Sequence, residues 1–377
     1  MTSKGLEGVV AAESELGLVL GEEGRLIYRG YDIQDLAEHT TFEEVCHLLW
    51  YGALPNRRAL HGLQNRMATE RHVRAEVIDI LRRLPRETHP MAALRTAVSV
   101  LAHFDPDAED MSADANARKA VRITAQMITL AGAFERLRRG EQPLQPRDDL
   151  GHAANFLYMA TGRLPDDLQT RIMDVAFTLH AEHGLNASTF AARVTVATLA
   201  DMHSGTVSAI GTLKGPLHGG ANQRVMEMLE QIPGPEAVPD YVASMLDRGE
   251  KIMGFGHRVY RTLDPRAPIL RRFAEEYARR AGDTRWLDIA NRVVEVMGEE
   301  MEARGKKVYP NVDFFSAPLY YTIGVPADSF TVIFACARAA GWTAHMLEQL
   351  RDNRLIRPKA DYTGPLGLTA TPIDQRD

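Results

Sequence analysis

Two histidines and one aspartate stand in surroundings suited to acid–base chemistry, and the first is His218. It lies in the segment Gly-Pro-Leu-His-Gly-Gly-Ala-Asn, just before a predicted helix for which Asn222 is the expected N-cap. The partial positive charge of a helix N-terminus lowers the pKa of a nearby imidazole, which keeps the ring neutral and able to donate a hydrogen bond to a carbonyl oxygen. A loop histidine without a chemical role is the alternative.

The second histidine, His257, stands in a basic segment. Arg258, Arg261 and Arg266 follow it closely, and Asp264 is the only acid among them. Such a cluster suits phosphate or carboxylate groups and disfavours protonation of the imidazole. A solvated basic loop is the alternative. No strand precedes the Gly-Phe-Gly sequence before His257, so this sequence is not a dinucleotide-binding fingerprint.

The aspartate, Asp313, lies between Val312 and the pair Phe314-Phe315. Burial among such neighbours raises the pKa of a carboxyl above its usual ~3.9, towards the range of a general base. An Asx-turn or a helix cap after Pro310 is the alternative.

One arginine is expected to need a negatively charged partner. Arg338 is the only permanently charged residue between positions 329 and 347, and it shares a predicted helical face with Phe334 and Trp342. A buried guanidinium needs a carboxylate partner or an anionic ligand because its desolvation is costly. A structural ion pair is the alternative.

His183 is expected on the inward face of a helix that Gly184 ends. The segment His180-Ala-Glu-His183 matches neither common zinc-helix motif, and no further ligands are indicated, so the sequence predicts no metal site.

The elements that must position these residues are mostly helices. Breakers such as Pro55, Pro165 and Pro310 separate segments with apolar residues at helical spacing, namely 32–50, 92–103, 118–139, 168–183, 189–210, 223–231, 267–281, 284–304 and 328–351. The best strand signal is a hairpin in which Gly17–Leu20 and Arg25–Tyr28 flank a four-residue turn. The predicted fold class is all-α.

Composition excludes several kinds of function. The 377 residues carry a formal net charge of −6, which argues against a nucleic-acid surface. No apolar run approaches the ~20 residues that span a bilayer, and no signal peptide is visible. Cys46 and Cys336 lie in apolar helical patterns and are expected to be buried thiols. A cytoplasmic location is therefore expected.

Taken together, these segments resemble the citrate synthase family over nearly the whole chain. Gly-Pro-Leu-His218-Gly-Gly-Ala-Asn222, Gly-Phe-Gly-His257-Arg-Val-Tyr with Asp-Pro-Arg266, and Pro-Asn-Val-Asp313 occur in the order of the family. The segments His183-Gly-Leu-Asn-Ala-Ser188, Ala-Arg338-Ala-Ala-Gly and Arg357-Pro-Lys occur in that order too.

The resemblance implies a homodimer of two-domain helical subunits. Residues 1–219 with 325–377 would form a large domain, and residues 220–324 a small, mobile domain inserted in it. The chain would cross between the domains at glycine-containing turns near Gly219-Gly220 and Gly324, which could act as hinges.

The resemblance also implies a reaction and the residues that carry it. Acetyl-CoA, oxaloacetate and water would give citrate and CoA, with Asp313 removing a methyl proton, neutral His218 stabilising the enol oxygen and His257 polarising the ketone. Oxaloacetate carboxylates would be held by Arg266, Arg338, His183 and, from the second subunit, Arg357. The implied substrate-binding residues further include Ser188 and Asn222.

For CoA, the resemblance implies contacts rather than a permanently bound cofactor. The backbone of residues 252–256, with Ile252, Gly254 and Gly256, would meet the adenine. Phosphates would be met by Arg261 and Lys306, for which Arg258 and Lys307 could substitute.

Three other functions are considered as alternatives to citrate synthase. 2-Methylcitrate synthase has the same fold and catalytic residues but uses propionyl-CoA, and a single methylene gives only ~1–3 kcal/mol of discrimination. An ATP-driven citryl-CoA lyase needs further domains for which 377 residues leave no room. A non-catalytic helical scaffold would not require His218, His257 and Asp313 together.

Overall fold

Helices carry most of this chain, and a small antiparallel sheet lies near its amino terminus. The computed structural model describes residues 4–6, 8–257 and 259–376. The helices of these residues are α1 (Ile33–His39), α2 (Phe42–Tyr51), α3 (Arg57–Glu70), α4 (Ala75–Arg83), α5 (Pro90–Leu101), α6 (Ala113–Arg138), α7 (His152–Thr161), α8 (Asp167–His180), α9 (Ala187–Val196), α10 (Met202–Leu213), α11 (Ala221–Leu229), α12 (Val238–Asp247), α13 (Ala267–Ala281), α14 (Arg285–Ala303), α15 (Val312–Thr322) and α16 (Phe330–Arg351). The predicted all-α class is confirmed.

The sheet has three strands, β1 (Gly17–Leu20), β2 (Arg25–Tyr28) and β3 (Tyr31–Asp32), in that spatial order. The predicted hairpin is confirmed, with Gly17 opposite Tyr28 and Leu20 opposite Arg25. The two-residue strand β3 was not predicted, because two residues are too few to show an alternating pattern.

Two long segments that were predicted as single helices are each divided. The segment 32–50 breaks before α2, where Thr41 forms a capping box with Glu44. The segment 189–210 breaks between α9 and α10, where Leu199 has a positive φ of 66° and Asp201 caps α10. In both cases a side chain satisfies the backbone N–H groups at a new helix start, which helical spacing of apolar residues does not reveal.

Five helices were not predicted: α3, α4, α7, α12 and α15. In α7 and α15 nearly every residue is buried, so their sequences lack the polar face that produces a helical period.

The core is built around α16, which packs on α2, α6, α8, α9 and α10. Trp342 in α16 is fully buried and donates its indole N–H to Ser188 Oγ (3.1 Å). A Cβ at Gly341 would lie 2.2 Å from the carbonyl oxygen of Ala181, so only glycine lets the chain after α8 approach α16 this closely. Cys46 and Cys336 are buried free thiols, as predicted.

The turn between β1 and β2 packs against a loop that is distant in sequence. The backbone N–H of Arg261 donates to the carbonyl oxygen of Gly21 (3.0 Å). A Cβ at Gly21 would lie 2.3 Å from the carbonyl oxygen of Val259, and one at Gly24 would lie 2.9 Å from that of Leu263. The amino-terminal hairpin therefore supports the loop that follows His257.

No helix among the described residues has both the length and the apolarity that crossing a membrane requires.

Candidate active site

His257 lies on a loop that is tethered on both sides. Gly256, with a φ of 79°, precedes it, and the carbonyl oxygen of Gly256 accepts from the Asn311 side chain (2.9 Å). His257 Nδ1 accepts the backbone N–H groups of Val259 (3.0 Å) and Tyr260 (3.1 Å). Because a backbone N–H can only donate, Nδ1 bears no hydrogen, and the ring hydrogen lies on Nε2. Burial, assisted by Arg266, lowers the pKa of His257 to about 4, so the ring is neutral at pH 7.

Arg266 and Asp264 form a buried ion pair beside this loop. The guanidinium donates through Nε (3.0 Å) and Nη2 (2.8 Å) to the two carboxylate oxygens. The pair counteracts the effect of burial, so the pKa of Asp264 is lowered and that of Arg266 is raised. Asp264 also accepts the backbone N–H of Val312 (3.2 Å), which fixes the start of α15 next to the arginine.

Asp313 lies in the first turn of α15. The cap of this helix is Asn311, whose side chain accepts the Asp313 backbone N–H (3.0 Å), so the alternative of a capping role for Asp313 is wrong. No hydrogen bond to the Asp313 carboxylate is found among the residues that the structure describes. Burial raises the pKa of this carboxyl to about 6, although Arg266 opposes the effect. The predicted direction of the shift is confirmed.

His218 lies in a tight turn between α10 and α11. A Cβ at Gly219 would lie 2.5 Å from the carbonyl oxygen of Leu213, so the turn requires glycine. His218 Nε2 accepts the backbone N–H of Ser188 (3.3 Å) and lies 2.8 Å from the Ser188 hydroxyl. The N–H contact places the ring hydrogen on Nδ1 and makes the imidazole neutral. Ser188 thus sets the state of His218.

The cap of α11 differs from the prediction. Gly220, not Asn222, is the N-cap, and Asn222 lies in the first turn. Its Oδ1 accepts from the Gln223 N–H (2.8 Å), and its buried Nδ2 has no hydrogen-bond partner among the described residues. The glycine pair before the helix allows the chain to enter α11 without a side-chain cap.

His183 follows α8 instead of lying within it. That helix ends at His180, three residues earlier than predicted. His183 Nε2 is 3.2 Å from the Tyr260 hydroxyl, and its ring centroid is 5.5 Å from that of His257. Burial, followed by the nearby Arg266 and Arg338, lowers the pKa of His183 well below its usual value. The imidazole is therefore neutral.

Arg338 is buried in the middle of α16, with 1% of its surface exposed. Its Nε donates to the carbonyl oxygen of His180 (2.6 Å), and its guanidinium carbon lies 4.7 Å from the centroid of the Phe334 ring. Burial lowers its pKa to about 10, and the charge of Glu182 opposes this. No carboxylate of the described residues lies within ion-pair distance of it, so the alternative of a structural ion pair is wrong.

Sequence reasoning missed Glu182, which was considered only as a metal ligand. The carboxylate is fully buried and lies 3.0 Å from His345 Nε2, and it also accepts the Gly184 N–H. Its negative charge lies near Arg338, and its hydrogen bond with the Gly184 N–H fixes the loop that carries His183. No group of three metal-ligating side chains is found among the described residues.

These side chains occupy one region of the molecule. The charge of Arg266 affects the pKa of His257, His183, Asp313 and Arg338, so Arg266 lies near all four side chains. His218 joins them through Phe334, whose ring centroid is 6.4 Å from that of the imidazole and which also contacts Arg338.

A cavity of about 220 Å³ opens next to His257. Arg261 and Lys307 are the cationic residues of its lining, which also includes Tyr260, Asp264 and Asn311. Lys306 is exposed and does not line it. The prediction for Arg258 falls outside the described residues.

The predicted adenine-binding backbone, residues 252–256, leads into the loop that lines this cavity. Ile252 is buried there, and Gly254 has a φ of 79°. A Cβ at Gly254 would lie 2.8 Å from side-chain atoms of Phe314 and Val225, so the backbone can take this path only with glycine.

Arg357 is exposed on the carboxy-terminal tail, which follows α16. It makes no contact with the group around Arg266 in its own chain, as far as the described residues show. The tail also exposes apolar side chains, with 85% of Leu366 and 79% of Leu368 accessible.

Neutral imidazoles, a carboxyl of raised pKa and buried arginines lie together in this site. Comparison with known proteins identifies the family of the chain. The family model described as "Citrate synthase, C-terminal domain" matches residues 5–359. The chain is 48% identical to the citrate synthase of Haloferax volcanii, over 99% of this chain and 98% of the relative. It is 43% identical to the 2-methylcitrate synthase of Mycobacterium tuberculosis, over 96% and 90%.

A solved structure agrees with the sequence relatives. The citrate synthase of Thermoplasma acidophilum, solved in a ternary complex with carboxymethyl coenzyme A and oxaloacetate, is 33% identical to this chain with a TM-score of 0.93, and the match covers all of both chains. The chain belongs to the citrate synthase family. The predicted function, citrate synthase, is confirmed, as is its class as an acyl-transferring enzyme.

Proposed function

We propose that this enzyme condenses acetyl-CoA with oxaloacetate through Asp313, His218 and His257. The Asp313 carboxylate removes a proton from the acetyl methyl group, and His218 Nδ1–H donates to the thioester oxygen of the forming enol. His257 Nε2–H donates to the ketone oxygen of oxaloacetate as the new carbon–carbon bond forms. Water then hydrolyses the citryl-CoA intermediate to citrate and CoA.

The observation that carries this proposal is the pair of imidazole tautomers. Each ring accepts a backbone N–H on one nitrogen, so the single ring hydrogen lies on the other nitrogen. A neutral donor stabilises a developing oxyanion without transferring a full proton beforehand. The loss of one such donor typically costs about 3 kcal/mol in the transition state.

The state of Asp313 supports its role as the base. Its pKa of about 6 leaves the carboxyl mostly ionised at pH 7, yet makes it a stronger base than a solvated aspartate. No protein hydrogen bond occupies its carboxylate among the described residues, so its lone pairs can reach a substrate proton.

Oxaloacetate carboxylates are held by Arg266, Arg338 and His183, with Arg357 supplied by a second copy of the chain. Arg338 supports this assignment best, because it is a buried cation without a carboxylate partner in the described part of the chain. Arginine–carboxylate contacts fix the orientation of the ketone, which the attack requires. Ser188 acts through His218, and the unpartnered amide of Asn222 is available to the substrate side.

CoA is a co-substrate here, and no cofactor is permanently bound. The backbone of Ile252, Gly254 and Gly256 receives the adenine. Arg261 and Lys307 meet phosphates because they line the cavity beside His257. Lys306 and Arg258 are proposed as additional cations for the phosphates.

We also propose the domain and subunit arrangement that the family resemblance implies. Residues 220–324 form the small domain and the remainder the large domain, in a homodimer in the cytoplasm. The exposed apolar side chains of the tail that bears Arg357 support a partner subunit, since burial of Leu366 and Leu368 requires another surface.

Release of free CoA thiol tests the reaction and its acyl preference together. The wild-type enzyme should release thiol from acetyl-CoA only when oxaloacetate is present, with a kcat/KM above that for propionyl-CoA. The 2-methylcitrate synthase relative makes propionyl-CoA the relevant competitor. A strong preference for propionyl-CoA would overturn the choice of acetyl donor, and no thiol release from either would overturn the mechanism.

A further inference from the structure

Tyr260 contacts both His257 and His183, on the side of the site proposed for oxaloacetate. Its ring is buried, with 3% of the residue exposed, and it lines the cavity beside His257. Its ring centroid lies 4.6 Å from that of His257 and 5.7 Å from that of His183.

The backbone of Tyr260 acts on His257. Its N–H donates to His257 Nδ1 (3.1 Å), in the company of the Val259 N–H. The ring of Tyr260 lies against the same imidazole and restricts its rotation. Tautomer and orientation of His257 therefore depend on the path of the chain at Tyr260.

The side chain of Tyr260 acts on His183. The hydroxyl lies 3.2 Å from His183 Nε2, and burial raises the pKa of Tyr260, so the phenol keeps its hydrogen. When this hydroxyl donates to Nε2, the hydrogen of the neutral imidazole is held on Nδ1. A fixed N–H can be directed at an anionic oxygen, whereas a ring that exchanges tautomers divides its population between two donors.

We propose that Tyr260 is a positioning residue for oxaloacetate. Its hydroxyl contacts His183 and its backbone N–H contacts His257, so Tyr260 holds the two imidazoles in one arrangement. The inference rests on the proposed function, since it assumes that His183 binds a substrate carboxylate. The amino-terminal hairpin holds the loop at Tyr260, because the carbonyl oxygen of Gly21 accepts the backbone N–H of the next residue, Arg261.

Tyr260→Phe removes the hydroxyl and retains the ring and the backbone. We expect the KM for oxaloacetate to rise about five- to tenfold, the loss typical of one hydrogen bond, while the KM for acetyl-CoA and the Tm stay near the wild-type values. The oxaloacetate concentration that stabilises the protein in a thermal shift should rise by the same factor. Tyr260→Leu also removes the ring beside His257 and should lower kcat in addition.

Tyr277→Phe is the matched control. The Tyr277 hydroxyl accepts a hydrogen bond from Gln169 (3.0 Å), between α13 and α8. This variant should keep both KM values. An unchanged KM for oxaloacetate in Tyr260→Phe would overturn the inference, as would equal rises in both KM values with a lowered Tm, which would indicate a structural role only. An inactive wild-type enzyme would instead refute the proposed function.

Discussion

At the scale of single residues, burial and backbone donors together decide which groups of this site carry a hydrogen. His257 and His218 are kept neutral in opposite tautomers, since one accepts on Nδ1 and the other on Nε2. Asp313 is moved in the other direction, because burial raises its pKa to about 6. The same loss of solvent therefore favours uncharged donors and a stronger base.

Asp313 makes activity depend on pH. As the required base it must be ionised, so kcat/KM for acetyl-CoA should fall about tenfold per unit as the pH drops below about 6. Asp313→Asn should abolish turnover and leave oxaloacetate binding largely intact, because the arginines remain. Near-wild-type turnover in this variant would remove Asp313 from the mechanism.

The stability of the folded protein should change with pH in the direction opposite to that of activity. The folded-state pKa lies above the unfolded value, so the ionised carboxyl destabilises the folded protein as the pH rises from about 4 through 6. Asp313→Asn should consequently raise the free energy of unfolding at pH 7 by roughly 1–2 kcal/mol.

Asp174→Asn is the control for the pH dependence of activity. Burial also raises the pKa of Asp174, to about 7, but this carboxyl contacts Phe42 and Arg171 and lies outside the proposed site. It should leave the acid limb of activity unchanged.

Residue types and spacing indicated most residues of the candidate site. The arginine-rich neighbourhood of His257, the apolar neighbourhood of Asp313 and the isolated charge of Arg338 all indicated unusual side chains. Glu182 and Tyr260 were not anticipated, because their importance arises from contacts with residues far along the chain. A glutamate before a histidine and a tyrosine in a basic loop carry no local signal of such contacts.

At the scale of elements, the loop from His257 to Asp264 is held between two supports. Asn311 and the start of α15 hold one side, and the turn of the β1–β2 hairpin holds the other. The hairpin belongs to the proposed large domain and the loop to the proposed small domain, so this contact crosses between them.

Gly21→Ala tests this support. The added Cβ would lie 2.3 Å from the Val259 carbonyl oxygen, so the loop must move away from the hairpin. We expect kcat to fall by about ten- to a hundredfold, because a catalytic group displaced by a fraction of an ångström to 1 Å loses that much.

Gly30→Ala serves as the control for that experiment. Gly30 also lies in the sheet region and has a φ of 91°, but no atom lies within 4 Å of its added Cβ. It should lower the Tm through backbone strain and leave kcat unchanged. If Gly21→Ala kept full kcat, the hairpin would have no part in positioning His257.

Element prediction succeeded for α13, which has a polar face, and failed for α7 and α15, in which nearly every residue is buried. It also missed α3, α4 and α12, although each of these helices has a polar face. The hairpin and α13 were predicted with the observed ends, whereas α15, which carries Asp313, was not predicted. The end of α8 was misplaced because the apolar pattern continues to His183 after the helical hydrogen bonds have stopped at His180.

At the scale of the whole molecule, the proposed site needs two domains and two subunits. Asp313 and His257 come from the proposed small domain, and His218 and Arg338 from the large one. Arg357 lies on an exposed tail that its own chain leaves uncovered. The composition of the chain gives no sign of the proposed domain boundary, because no linker-like segment marks it.

Mixed dimers test the contribution of the second subunit. Dimers of Arg357→Ala and dimers of Asp313→Asn should each be inactive. After subunit exchange, each mixed dimer should contain one site with both lesions and one intact site, so an equal mixture should regain about a quarter of the wild-type activity. No recovery, despite demonstrated exchange, would place Arg357 in the site of its own chain or outside any site.

A crystal structure with oxaloacetate and an unreactive thioether analogue of acetyl-CoA tests the central claim most directly. We expect His218 Nδ1 to lie about 2.7–3.2 Å from the atom that replaces the thioester oxygen, and His257 Nε2 to lie at the same distance from the ketone oxygen of oxaloacetate. The Asp313 carboxylate should face the carbon that corresponds to the acetyl methyl group. Three groups that faced separate surfaces in that complex, with no shared cleft, would contradict the account.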